Sequence, residues 1–346
     1  MINFASDNVT GVCPEIMEAL ARANQGSALP YGDDAITRRL RSRVAQIFEH
    51  EVAVFPLATG SAANALALSA VSPRYGAVYC HREAHVNVDE CGAPEFFTGG
   101  AKLVALEGDH AKLTPKALAT AIFGGGIVHH VQPAAISITQ ASEKGTVYTQ
   151  QEVAALAEVA RGHKIALHMD GARFANALAH LGCSPAQATW KAGVDVLTLG
   201  ATKNGAMAAE AVVFFNPAQA EGFEYLRKRG GQLFSKMRFV SAQLEAYLSD
   251  DLWLKNARHA NAQAARLAEG LAALPGAELV APVEANEVFI ALPRPVVEGL
   301  KAAGYGFYVW RDGQRPQARF VTAFDTPPAD VEALLAEAAR CAAGAA

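Results

Sequence analysis

The sequence lacks a long hydrophobic run, paired cysteines and a secretory leader. No apolar run approaches the roughly 20 residues that a membrane helix needs, and the first residues, MINFASD, show no basic region followed by an apolar one. The five cysteines are scattered without any C-x-x-C spacing, which argues against a zinc site and against a disulfide framework. We therefore expect a cytoplasmic protein with reduced thiols, no membrane partner and no metal-ligating residues. The sequence leaves open whether a cation binds.

The sequence also lacks an excess of basic charge. Its 30 lysine and arginine residues stand against 34 aspartate and glutamate residues, so the formal net charge is −4 at pH 7. No block of basic residues stands out, and nucleic acid is therefore not an expected partner. Hydrophobic residues make up 51% of the chain, which excludes a disordered protein and provides enough apolar side chains for a sizeable core.

What the sequence does contain is an alternation of apolar strands with helical segments. Strands are predicted near residues 52–55, 77–80, 102–106, 135–139, 164–169, 194–199 and 211–215. The helical segments between most of them predict an α/β fold, a mostly parallel sheet sandwiched by helices. From about residue 232, long helices and short strands predict a smaller α+β C-terminal domain, so we divide the chain into residues 1–247 and 248–346.

Candidate site residues follow four of the predicted strands, and these are Gly60, His85, Asp170 and Lys203. Because ligands in open α/β sheets bind at the carboxyl ends of the strands, we expect these residues to converge. Gly60 and Ser61 begin a predicted helix, whose N–H groups and dipole favour an anion such as a single phosphate. The turn has neither G-x-G-x-x-G nor G-x-x-x-x-G-K-[ST], so a dinucleotide or nucleoside triphosphate is not indicated. The alternative is that Gly-Ser serves only the geometry of the turn.

Lys203 directly follows an apolar strand, between Thr202 and Asn204. Partial burial there favours the neutral amine, which is the nucleophile for Schiff-base formation with a carbonyl compound or with pyridoxal phosphate. The alternative is an ordinary lysine that reaches water from a strand end. Pyridoxal phosphate also needs an anion site, a flat neighbour for its ring and a carboxylate for its ring nitrogen. The chain offers Ser61, His85 and Asp170 for these purposes.

Six short segments, in order along nearly the whole chain, resemble the L-threonine aldolase family. They are SDNVT at 6–10, YGDD at 31–34, TGSAAN at 59–64, AH at 84–85, LHMDGAR at 167–173 and TK at 202–203. The family consists of pyridoxal-phosphate lyases with the aspartate-aminotransferase fold, known as fold type I. The segment GQLFSKMR at 231–238 resembles a low-specificity branch that includes phenylserine aldolases.

The resemblance implies a role for each residue of a site. Lys203 would carry the cofactor as a Schiff base, Asp170 would pair with its ring nitrogen and His85 would stack on the ring. The other residues implied to bind the cofactor are Gly60, Ser61, Arg173, Thr202 and, from a neighbouring subunit, Arg238; those implied to hold the substrate are Ser6, Tyr31, Arg173 and Arg319. The substrate hydroxyl would lose its proton to His85, with His130 or a bound water as the alternatives.

The same resemblance implies a homotetrameric lyase, a dimer of dimers with its sites at the dimer interface. It would cleave L-threonine, L-allo-threonine and related L-β-hydroxy-α-amino acids, phenylserine among them, to glycine and an aldehyde by a retro-aldol reaction. Two departures leave the preferred side chain open: Asn204 stands where many members have glycine, and TQAS at 139–142 replaces Glu-Asn-Thr-His. The alternatives are a β-eliminating lyase or an aminotransferase of the same fold and, from another class, a non-catalytic α/β binding protein.

Overall fold

The structure, a computed structural model, describes residues 2–344. The strands of its main sheet are β1 (Ala53–Leu57), β2 (Gly76–His81), β3 (Lys102–Leu106), β4 (Gln132–Thr139), β5 (Ala166–Gly171), β6 (Val196–Gly200) and β7 (Glu210–Phe214). They lie in the order β1-β7-β6-β5-β4-β2-β3. All neighbouring pairs are parallel except those of β7, which runs antiparallel to both β1 and β6. The predicted mostly parallel sheet is confirmed.

Helices cover both faces of this sheet. Those of the first part of the chain are α1 (Pro14–Ala23), α2 (Ala35–Ile47), α3 (Gly60–Val71), α4 (His85–Val88), α5 (Ala93–Thr98), α6 (Pro115–Ala121), α7 (Gln150–His163), α8 (Phe174–Leu181), α9 (Pro185–Ala188), α10 (Phe223–Arg229) and α11 (Arg238–Tyr247). Successive strand residues point to opposite faces. Val212 and Phe214 of β7 accordingly pack with Leu66 of α3, whereas Val213 packs into the main core with Leu156 of α7.

Side-chain caps define the beginnings of several helices. Asp34 caps α2, because its Oδ1 accepts from the Thr37 N–H at 2.8 Å and its Oδ2 accepts from the Thr37 hydroxyl at 2.8 Å. Thr59 caps α3 by accepting from the Ala62 N–H at 3.3 Å. Asp34 is thus the N-cap of α2, a position at which aspartate is strongly favoured.

The C-terminal part of the chain forms a second, antiparallel sheet. Its elements are α12 (Leu252–Ala272), β8 (Glu278–Leu279), β9 (Glu287–Ala291), α13 (Arg294–Ala302), β10 (Tyr308–Arg311), β11 (Gln317–Val321) and α14 (Pro328–Ala343), with the strands in the order β10-β11-β9-β8. This sheet has a core of its own, to which Phe4 of the N-terminal segment contributes beside Ile290 and Phe320. The smaller α+β unit is therefore present, and the exact division after residue 247 stays a prediction.

The long helices predicted from about residue 232 begin only at Arg238. The residues before α11 form a loop whose Gln232 side chain accepts from the Ala58 N–H at 3.0 Å. Across residues 2–344, none of the helices has the length and apolar character needed to cross a membrane.

Candidate active site

A cavity of about 320 Å³ opens at the carboxyl ends of the parallel strands. The predicted site residues that line it are Gly60, Ser61, His85, Asp170, Arg173, Thr202 and Lys203. A larger cavity of about 690 Å³ lies between α1, α2 and α11, but its lining contains none of the predicted site residues. Because titratable groups from several strand ends meet only in the smaller of these two cavities, it is the candidate active site.

Lys203 lies on a short 3-10 turn that follows β6. Asn204 holds this turn in place, because its Nδ2 donates to the Tyr247 hydroxyl at 2.9 Å and to the Trp253 carbonyl at 2.8 Å. Gly205 has a φ of 113°, and a Cβ there would lie 3.0 Å from that of Cys13, so glycine suits this position. The half-buried Lys203 therefore lines the cavity from a turn that Asn204 holds in place.

Asp170 lies near the end of β5 with its carboxylate fixed on both oxygens. Oδ1 accepts from the Ala172 N–H at 3.0 Å, and Oδ2 accepts from Asn64 Nδ2 at 2.7 Å. The residue is 3% exposed and lines the cavity. A buried carboxylate held in one orientation is well suited to pair with a protonated ring nitrogen.

The N-terminus of α3, next to β1, could hold an anion. The N–H groups of Gly60 and Ser61 lie in the first turn of this 12-residue helix, where its dipole favours negative charge. A Cβ added to Gly60 would meet no atom within 4 Å, so the space beside the turn is open. Thr202 faces the same cavity, and its hydroxyl oxygen accepts from the Ala209 N–H at 3.2 Å.

Two arginines beside the cavity are already paired with carboxylates. Arg173 donates from Nε and Nη2 to the two oxygens of Asp7 at 2.7 and 3.0 Å. Its Nη1 lies 3.4 Å from Oε2 of Glu287, whose Oε1 accepts from Nε and Nη2 of Arg319 at 3.1 and 2.8 Å. Burial alone would raise the pKa of Asp7, but the neighbouring Arg173 guanidinium holds that pKa below its usual value.

The remaining residues predicted to bind cofactor or substrate lie outside the lining of the cavity. Ser6 precedes the turn that carries Asp7, and its hydroxyl oxygen accepts from the Asn8 N–H at 3.1 Å. Tyr31 is 46% exposed, with the Lys228 ammonium 5.0 Å from its ring centre. Arg238 donates from Nη1 to the Gly26 carbonyl at 3.2 Å on the surface.

His130 precedes β4, at the opposite end of the sheet from the cavity. Its ring packs edge-on against Phe123, with ring centres 5.4 Å apart. Since the eight residues of β4 extend by about 25 Å, this histidine cannot reach the cavity of its own chain. Its predicted catalytic role would need a neighbouring subunit and stays a prediction.

Sequence reasoning missed several polar residues of the site, namely Asn64, Glu90, Glu143 and Glu210. Glu143 follows β4, and its Oε1 accepts from the His85 N–H and from the Thr139 hydroxyl, both at 2.8 Å. Burial raises the pKa of Glu143 to about 7 and that of Glu210, at the start of β7, also to about 7. Asn64 belongs to the TGSAAN segment, one helical turn beyond Gly60, and this spacing could have predicted its place.

Comparisons with known proteins agree with this geometry. Residues 3–294 match the model of the β-eliminating lyase family. The chain is 47% identical over 323 residues to the low specificity L-threonine aldolase of Pseudomonas aeruginosa, with 93% of each chain covered. It is 45% identical over 334 residues to the low specificity L-threonine aldolase of another Pseudomonas strain, with 96% of each covered.

Solved structures of other proteins have a similar fold. A threonine aldolase from Leishmania major superposes with a TM-score of 0.94 at 26% identity, covering 99% of this chain and 100% of the other. An aspartate aminotransferase variant from Thermus thermophilus superposes with a TM-score of 0.72 at 18% identity, covering 99% and 91%, which shows the fold alone. Fold and site together define a pyridoxal-phosphate enzyme of fold type I. The chain belongs to the β-eliminating lyase family and, within it, to the group of low-specificity L-threonine aldolases.

The residues that line the cavity fit pyridoxal phosphate. The open first turn of α3 can take the phosphate, the buried Asp170 carboxylate can take the protonated ring nitrogen, and the Lys203 amine can take the aldehyde. The sequence predicted these three groups and this cofactor. The membership in a family of enzymes rejects the alternative of a non-catalytic binding protein.

Proposed function

We propose that this protein cleaves L-threonine, L-allo-threonine and related L-β-hydroxy-α-amino acids, phenylserine among them, to glycine and an aldehyde. The observation that carries the proposal is the cavity that gathers Lys203, Asp170 and His85. It belongs to a chain that is 47% identical to a low specificity L-threonine aldolase.

Bound pyridoxal phosphate supplies an electron sink for the Cα–Cβ bond that breaks. Lys203 would hold the cofactor through Nζ, and the buried Asp170 carboxylate would keep its ring nitrogen protonated. Arg173 and Arg319 orient the substrate carboxylate through guanidinium N–H groups that Asp7 and Glu287 leave free. His85 takes the hydroxyl proton on Nε2, because Nδ1 is bonded to Glu90.

A coupled assay tests this proposal. The protein, loaded with pyridoxal phosphate, is incubated with L-threonine while alcohol dehydrogenase and NADH report acetaldehyde and amino-acid analysis reports glycine. We expect the two products in equal amounts. Ammonia with 2-oxobutanoate would instead indicate a β-eliminating lyase, the alternative that the description of the family model favours. A keto acid with transfer of the amino group would indicate an aminotransferase.

Arg319→Ala should weaken the binding of the substrate. A charge-assisted hydrogen bond contributes about 1.5–3 kcal/mol, so the KM for threonine should rise about tenfold or more. The absorbance of the bound cofactor should stay unchanged, because Arg319 lies outside the cavity lining. Arg315→Ala is the matched control, since this exposed arginine precedes β11 and pairs with Glu278 at the surface. An unchanged KM in Arg319→Ala would refute the role.

We further propose a homotetramer in which Arg238 reaches the phosphate site of a neighbouring subunit. The surface position of Arg238 supports this proposal, as does the exposure of apolar side chains such as Phe123 and Val128, which are 66% and 89% exposed. Closed symmetry is also the common state of soluble oligomers. Light scattering of the active enzyme should give four times the mass of one chain, and a fully active monomer would contradict the proposal.

We also infer a cytoplasmic location. The five cysteines are free, and free thiols are typical of a reducing compartment.

A further inference from the structure

A buried carboxylate, that of Glu90, lies next to the Nδ1 atom of His85. Glu90 follows α4, and its side chain has no solvent exposure. Its Oε1 lies 2.8 Å from His85 Nδ1 and accepts from Asn64 Nδ2 at 2.9 Å. Its Oε2 is buried without a hydrogen-bond partner in the part of the chain that the structure describes.

We propose that Glu90 is a positioning residue for His85. It holds the proton on Nδ1, fixes the plane of the ring and leaves Nε2 as the acceptor that faces the substrate. In a neutral imidazole one nitrogen donates and the other accepts, and the hydrogen bond at one nitrogen decides which tautomer is present. The inference rests on the proposed function, because it assigns His85 as the base of that reaction.

Asn64 connects this pair to the cofactor site. Its Nδ2 donates to Glu90 Oε1 and also to Asp170 Oδ2, at 2.9 and 2.7 Å. A single amide group thus keeps the two carboxylates apart and fixes their relative position. Since Asn64 lies on α3, the helix that also carries the anion site, its place does not depend on a mobile loop. The base and the carboxylate for the ring nitrogen are therefore aligned by one side chain.

The charges around His85 come from several elements. Glu90 faces Nδ1, Asp170 approaches from β5, Lys203 approaches from the turn after β6, and Glu143 accepts from the backbone N–H of His85. The hydrogen bond to Glu90 raises the pKa of His85 most, while burial and Lys203 oppose it and Asp170 supports it. A base with a raised pKa becomes active at a higher pH, so removing the Glu90 charge should move the acidic limb of the pH profile downward.

The test compares Glu90→Gln with Asp89→Asn in the enzyme loaded with pyridoxal phosphate. Asp89 is adjacent in sequence and exposed, so Asp89→Asn also removes one negative charge. The backbone N–H of Asp89, which donates to the His85 carbonyl at 2.9 Å, is unchanged in this variant. Deuterium exchange at the imidazole C2 position, followed by mass spectrometry, gives the pKa of individual histidines without relying on activity. We expect the pKa of His85 to fall by about one to two units in Glu90→Gln and to stay constant in Asp89→Asn.

Turnover provides a second readout. In Glu90→Gln the acidic limb of kcat/KM should move to lower pH by the same amount, and kcat on the plateau should fall by roughly 10- to 100-fold, less than the loss of the base itself. The KM for threonine and the cofactor absorbance should change little, because Glu90 touches neither. An unchanged His85 pKa and an unchanged pH profile would overturn the proposal and leave Glu90 as a packing residue.

If Glu90→Gln fails to fold, the pKa of His85 in the wild-type enzyme, measured by the same exchange experiment, tests the proposal. The pKa of its His85 should lie above the ordinary value of about 6.5, and a value below it would contradict the pairing. A wild-type protein that released no aldehyde from threonine would refute the proposed function, whereas the exchange experiment would still report on the pairing of Glu90 with His85.

Discussion

Lys203→Ala is expected to abolish the cleavage of threonine and the covalent attachment of the cofactor. The loss should reach several orders of magnitude, as it does when the nucleophile of covalent catalysis is removed. The fold should persist, because Asn204 rather than Lys203 holds the turn to Tyr247 and Trp253. The measurements are kcat with threonine, the visible absorbance of the enzyme and its melting temperature.

Lys236→Ala is the control for this experiment, because Lys236 is an exposed lysine of the loop before α11. It should retain both turnover and absorbance. If Lys203→Ala remained active while Lys236→Ala lost its absorbance, the site would have to be assigned to a different lysine.

His85→Asn is expected to lower turnover by about 10²–10⁴-fold, the usual contribution of general base catalysis. Asparagine keeps a polar side chain of similar reach but cannot accept a proton near neutral pH. The cofactor should remain attached, since neither Lys203 nor Asp170 is altered. The measurements are kcat with threonine across pH and the absorbance of the bound cofactor.

His130→Asn is the matched comparison. It should lower turnover less than His85→Asn and should mainly change the threo/erythro ratio, measured as the ratio of the activities on L-threonine and L-allo-threonine. Near-normal turnover of His85→Asn with weaker cofactor retention would limit His85 to stacking on the ring. The base would then have to be His130 of a neighbouring subunit or a bound water.

The part of the site that could be predicted from the sequence depends on one rule of parallel sheets. Gly60, His85, Asp170 and Lys203 each lie at or just beyond the carboxyl end of a strand, and parallel strands bring these ends to the same edge whatever their order. The structure places all four around one cavity. The strand order itself, and the antiparallel β7 between β1 and β6, could not be derived from the hydrophobic pattern.

The contacts that depend on tertiary structure could not be predicted. Arg173 donates hydrogen bonds to Asp7, which lies 166 residues earlier in the sequence. Glu287 of β9 accepts from Arg319 of the neighbouring strand β11. In the sequence each of these acids resembles any solvated carboxylate, because burial becomes visible only when the distant segments have packed. For the same reason, the hydrogen bonds that connect Glu90 through Asn64 to Asp170 could not be predicted.

Asn204, which stands where many members of the family have glycine, has a structural role. In the sequence, this departure leaves the preferred side chain of the substrate open. In the structure its amide is bonded to Tyr247 and Trp253, and Asn256 donates to its carbonyl at 3.0 Å. This residue therefore supports the turn that carries Lys203, and TQAS at 139–142 is the departure that lies at the cavity through Thr139 and Ala141.

The central claim is that Lys203 is the residue on which the cofactor and the chemistry depend. Reduction of the loaded enzyme with borohydride, followed by peptide mapping, tests it most directly. We predict a pyridoxyl label on the peptide that contains Lys203, and less label when threonine is present during the reduction, because the amino group of the substrate then takes the aldehyde. A label on Lys191 or Lys236, or a label on Lys203 that threonine leaves unchanged, would contradict the account.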